Sequence, residues 1–138
     1  MDKKRILSKI RELDSYIGEL EDILPSNLNE YIEDSEKRRA CERLLQISLE
    51  VMIDIYYIIG SSLKITIPSD EEDIISNLCA KKIISKDLAS ISIEMKGFRN
   101  ILVHKYGVVD DEQVYEILSE KLSDFELFKK EILEYINK

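Results

Sequence analysis

Ile6, Ile10, Leu13, Ile17, Leu20 and Leu24 recur at alternating spacings of four and three. That period places all six on one stripe of an α-helix and on both faces of a strand, so it selects helix. The stripe predicts a helix from about Lys3 to Leu24, stopped by Pro25. The same period dominates the rest of the chain, and no segment sustains the period-two alternation of a half-buried strand. Only 4 Gly and 2 Pro interrupt 138 residues. The expectation is an all-α fold, a bundle of five to six helices in one domain spanning residues 1–138.

The remaining boundaries follow from local chemistry. A second helix restarts near Asn27 and runs to about Ile59, with a bend near Asp34-Ser35 and an end at Gly60-Ser61-Ser62. Ile67 precedes Pro68 and is therefore extended. Ser69 with Glu72 matches a capping box opening a short helix to about Ala80. Ser85 caps another to about Tyr106, ended by Gly107. Asp110 with Gln113 opens a last helix to about Ile136.

Charge and composition exclude several classes. Hydrophobic residues are 44% and charged residues 35%, a globular balance. The longest apolar run, around residues 51–59, is interrupted by Asp54, so no membrane span is expected. The N-terminus carries charges throughout and has no signal-peptide core. Cys41 and Cys79 are isolated, without CxxC spacing, and read as small apolar residues of a cytoplasmic protein. The net charge of -8 opposes general nucleic-acid binding, so any such role needs a locally basic site. One histidine and two distant cysteines offer no metal-ligand set, and no cofactor is expected.

The single histidine, His104, lies in FRNILVHKYG. At about 100° per residue, Ile91, Met95, Phe98 and Leu102 form one apolar face. Arg99, Asn100, His104 and Tyr106 then share the arc away from it. This set suits phosphodiester cleavage without a metal. Histidine can act as acid or base near neutrality. Arginine holds phosphate with two parallel donors and opposes the charge of a phosphorane. Asparagine can orient the imidazole or donate to phosphate, and a tyrosine ring can stack on a base. A second stripe, Glu42, Gln46, Glu50 and Asp54, recurs every four residues along the long helix, flanked by Arg39 and Arg43. It reads either as a solvated face or as a polar wall across a cleft from the histidine helix.

RNILVHKY resembles the Arg-x4-His-x-Tyr motif of the HepT-like branch of the HEPN superfamily. The flanking GF and GVVDDEQVYEIL, the segment KRRACERLLQISLEVMIDI and the opening helix ending in ILP resemble that branch too, so the resemblance covers about residues 3 to 130. It implies a small all-helical protein forming a two-fold homodimer, and a metal-independent endoribonuclease acting as a toxin. It implies Arg99 and His104 as catalytic residues, with Asn100 as the polar residue that follows the arginine. It further implies a minimal nucleotidyltransferase antitoxin as partner, with Tyr106 as the tyrosine that receives AMP. A dimer would also bring a second His104 into the cleft, giving acid and base from one histidine per chain. The other reading is a non-catalytic helical module that binds a nucleotide or holds a nucleotidyltransferase.

Overall fold

The computed structural model describes residues 2–65, 70–102 and 109–138, and these are helical with no strand among them. Helix α1 spans Lys3–Ile23, α2 Leu28–Glu33, α3 Ser35–Ser62, α4 Glu71–Ala80, α5 Lys86–Leu102, α6 Asp111–Glu120 and α7 Asp124–Ile136. The all-α expectation holds, with seven helices among the described residues rather than five or six.

The first extra helix comes from Asp34. The expected bend is a break, because Asp34 leaves helical geometry (φ -98°, ψ 92°) and its carboxylate accepts from the Lys37 N–H at 3.1 Å. One aspartate thus ends α2 and caps α3. The second comes from residues 121–123, where short turns separate α6 from α7. Two caps match their expected residues. Ser85 Oγ accepts from the Leu88 N–H at 3.0 Å, and Asp110 accepts from the Gln113 N–H at 3.1 Å. At α4 the cap is Asp70, which accepts from the Asp73 N–H at 2.9 Å. The expected pairing of Ser69 with Glu72 is thereby corrected, since Asp70 supplies the acceptor; Ser69, with Ile67 and Pro68, lies outside the described residues.

Helix α3 organises the fold. Leu45, Leu49, Met52, Ile55, Tyr56 and Ile59 are fully or almost fully buried along it. By length and composition it could cross a membrane, but just over half of its apolar stretch is covered by the rest of the fold. The α1 stripe, Ile6 to Leu20, packs on α3 over its length, and α4 and α5 cover another side. Tyr56 anchors the α5 side. Its hydroxyl lies 2.6 Å from Ser92 Oγ, and its ring meets Phe128 of α7 edge-on, with centroids 5.2 Å apart. Burial pushes the Tyr56 phenol well above the ordinary tyrosine range.

Gly60 does not end α3, which continues to Ser62. Its role is close approach. A Cβ added there would collide with Ile74 Cδ1 of α4 and lie 3.3 Å from Ile74 Cγ1. Ile74 is itself buried at 2% exposure, so its side chain has little room to yield. Gly60→Val should therefore cost about 1–3 kcal/mol by overpacking the α3–α4 contact. Urea unfolding monitored by circular dichroism checks this, with a lower midpoint and an unchanged slope expected.

Candidate functional site

Arg99 stands in the last described turn of α5, with Asn100 exposed beside it. The Arg99 guanidinium donates to the carboxylate of Glu71, in the first turn of α4. Both side chains are less than a third exposed. One turn earlier on α5, Lys96 pairs with Glu72 at 3.2 Å. Two adjacent ion pairs thus tie the C-terminal part of α5 to the N-terminus of α4. Asp70, Glu71, Glu72 and Asp73 supply the capping and first-turn carboxylates there, where a helix N-terminus favours negative charge.

Tyr57 of α3 belongs to the same electrostatic neighbourhood. Burial and the carboxylates of Glu71 and Asp70 raise its phenol above the ordinary range, while Arg99 pulls it down. It is one of the few large apolar side chains left exposed, at 38%. Sequence reading missed both Tyr57 and Glu71. Tyr57 was hidden in an apolar run, and Glu71 reaches Arg99 across 28 residues.

The Tyr56–Ser92 contact packs the middle of α5 on the C-terminal half of α3. The pull of Arg99 on the Tyr57 phenol puts the guanidinium in the neighbourhood of Tyr57, and Glu50 lies seven residues, about 10 Å, back along α3. At that earlier level Gln46 Nε2 donates to Glu50 Oε1 at 3.3 Å, and both are half-buried. At about 100° per residue, Arg39, Arg43, Gln46, Glu50 and Tyr57 fall within about 60° of one another.

The stripe is not one unit. Asp54 is exposed and pairs with Lys9 of α1 at 3.3 Å. Glu42 belongs to the α2–α6 junction. Burial, then Asp111, raises its carboxyl above the usual range, with Arg38 and Arg39 opposing. Arg38 holds this junction together, donating to the Ile32 carbonyl while pairing with Asp111. Arg39 and Arg43 are exposed, and lie about 10–17 Å beyond the level of Glu50 along α3. His104 and Tyr106 lie outside the described residues. Among the described residues no three of His, Cys, Asp and Glu converge as a metal-ligand set. Cys41 and Cys79 are free thiols, and burial raises the Cys41 thiol to about 11.

The raised Glu42 carboxyl has a stability consequence with a definite sign. The folded state binds its proton more tightly than the unfolded chain, so this group contributes less stability as pH rises through its raised value. Glu42→Gln should raise the melting temperature at pH 7. The gain should fade as pH falls through that raised value and vanish below the usual carboxylate range. Thermal melts of both proteins across that range check it.

A family model described as Ribonuclease HepT-like matches residues 13–132. The tRNA nuclease HepT of Aphanizomenon flos-aquae is 28% identical over 131 residues, covering 95% of this chain and 89% of that protein. The mRNA nuclease HepT of Shewanella oneidensis is 32% identical over 84 residues, 61% of this chain and 63% of that one. Among solved structures, a tri-AMPylated Shewanella oneidensis HEPN toxin in complex with an MNT antitoxin superposes with a TM-score of 0.85 at 25% identity. The match covers 97% of this chain and 99% of the toxin.

Proposed function

We propose a function on the premise that this chain belongs to the ribonuclease HepT-like family: it is an endoribonuclease toxin of a toxin–antitoxin pair, neutralised by an MNT-type nucleotidyltransferase. Two nuclease relatives and a toxin seated on its antitoxin support that reading. It is a single-domain cytoplasmic protein that acts as a homodimer.

The observation that carries the site assignment is the fixed guanidinium of Arg99. A half-buried arginine held by one carboxylate keeps donors for a second anion, and a scissile phosphate is such an anion. His104, five residues on in sequence, is the one side chain whose ordinary pKa suits proton transfer near neutrality. The 2′-hydroxyl attacks phosphorus and gives up its proton to a base, and an acid protonates the departing 5′-oxygen. Arg99 opposes the charge that builds on the equatorial oxygens. The two His104 side chains of a dimer serve as base and acid. Asn100 orients imidazole or phosphate. Gln46 and Glu50 form the wall opposite, and Arg39 and Arg43 extend it toward the rest of the RNA. Glu42 acts at a distance, through the α2–α6 junction.

Glu71 is a positioning residue here. It aims Arg99 but also competes with phosphate for it. His104→Ala and Arg99→Ala should each lower cleavage at least about 100-fold while circular dichroism stays unchanged. Glu71→Gln should instead lower both kcat and KM, because it frees the guanidinium and loosens its aim. Cleavage of a labelled RNA by the purified proteins checks all three. Full activity in His104→Ala would overturn the role of His104, and a wild type that binds RNA without cleaving it would favour the non-catalytic module.

Tyr106 is the residue on which the nucleotidyltransferase places AMP. Each added adenylate brings a phosphate and a nucleotide to a phosphate-binding site, so charge and bulk oppose RNA entry. Co-expression with the cognate nucleotidyltransferase should add mass in units of AMP to the wild type and none to Tyr106→Phe, read by intact-protein mass spectrometry.

A further inference from the structure

We infer that a groove at the far end of α5 from Arg99 is a second RNA contact, holding the backbone of the substrate outside the cleavage site. The inference rests on the ribonuclease reading and extends it to residues that reading leaves unused. The groove, about 680 Å³, lies between the turn joining α4 to α5 and the outer face of α7. Lys82, Lys86, Lys130 and Lys138 line it, against Glu131 and Glu134. Glu131 is already engaged, since it accepts from the Ser85 N–H at 2.6 Å and from the Ser85 hydroxyl at 2.7 Å. In a chain of net charge -8, four lysines against two glutamates leave this groove with an excess of two positive side chains, a local balance that suits a phosphate chain. Half-buried Tyr135 lies on the wall among them. A basic rim with an aromatic on its wall is the pattern that tracks a single strand by charge and stacks a base.

Backbone geometry supplies a variant that removes one of these charges without straining the turn. Lys82 stands at φ 61° in the turn after α4, where its N–H reaches the Cys79 carbonyl and the next N–H reaches the Leu78 carbonyl. Glycine is the low-strain residue at such a left-handed helix end. Lys64 ends α3 in the same left-handed geometry at φ 56°, so the conformation belongs to the helix end, and a glycine at position 82 keeps the turn while removing the charge.

Lys86 and Arg99 are thirteen residues apart on α5, or about 20 Å. At about 3.4 Å per stacked nucleotide, roughly six nucleotides bridge that distance. An RNA engaging both places must therefore be longer than the few residues around the scissile bond. Cys79 also lines the groove and is half-buried, whereas Cys41 is fully buried, so one thiol reports on occupancy and the other is an internal reference.

The test compares an RNA of about 20 nucleotides with a trinucleotide, at low ionic strength. In Lys82→Ala/Lys86→Ala/Lys130→Ala, kcat/KM should fall about tenfold or more on the long RNA and less than about twofold on the trinucleotide. Lys82→Gly relieves the left-handed strain, so it should melt no lower than the wild type while still losing several-fold on the long RNA. With a 2′-O-methyl version of the long RNA, which lacks the attacking hydroxyl, alkylation of Cys79 should slow. The 2′-O-methyl trinucleotide should leave it unchanged. Equal kcat/KM for wild type and variants on the long RNA, with Cys79 unprotected, overturns the groove and leaves the ribonuclease reading standing. Loss of equal size on both substrates also overturns it. A wild type that neither cleaves nor binds either RNA overturns both.

Discussion

Burial of α3 is the constraint on which the other helices depend. Twenty-eight residues form one helix that carries buried side chains from Cys41 to Gly60. A helix so apolar has to be covered on several sides. The α1 stripe covers one side, and α4 and α5 cover another, with α7 reaching Tyr56 through Phe128. Gly60 lets α4 come close, and the Tyr56–Ser92 contact sets the level of α5. Together these place the start of α4 beside the end of α5, and so Glu71 beside Arg99.

The site follows from that packing. An arginine at the end of an exposed helix would sample many rotamers and hold phosphate only after losing that freedom. Here the Glu71 carboxylate and the neighbouring Lys96–Glu72 pair fix it in advance. The same carboxylate sets a cost, because an incoming phosphate has to share or displace it. On the proposed reading the acidic chain meets RNA through local features: one anchored guanidinium, and a lysine-rimmed groove about 20 Å away along α5.

Much of the fold was legible because side-chain period and capping chemistry are local. The α1 stripe, Ser85 as the cap of α5 and Asp110 as the cap of α6 all read directly from neighbouring residues. The break between α6 and α7 was not legible. Val114, Ile117, Leu118, Phe125, Phe128 and Ile132 keep a helical spacing straight across it, and residues 121–123 hold neither Gly nor Pro. Asp34 looked like a bend because one aspartate can cap a helix without announcing the end of the previous one. Within the site, the placement of Arg99 away from the core was legible from periodicity. Its partner was not, since an ion pair across 28 residues leaves no local pattern. The polar stripe read as one unit, either a solvated face or a wall, yet its two ends answer to different neighbours, Lys9 for Asp54 and the α2–α6 junction for Glu42. Only the packing around α3 separates them.

The central claim is that this chain cleaves RNA with its own side chains, using the substrate's 2′-hydroxyl. The most direct measurement is the chemistry of the product ends. Purified protein is incubated with a labelled RNA in excess chelator, and the fragments are resolved by mass spectrometry. Cleavage should persist in chelator and leave a 2′,3′-cyclic phosphate on one fragment and a 5′-hydroxyl on the other. Fragments ending in a 3′-hydroxyl and a 5′-phosphate, or cleavage abolished by the chelator, would contradict it.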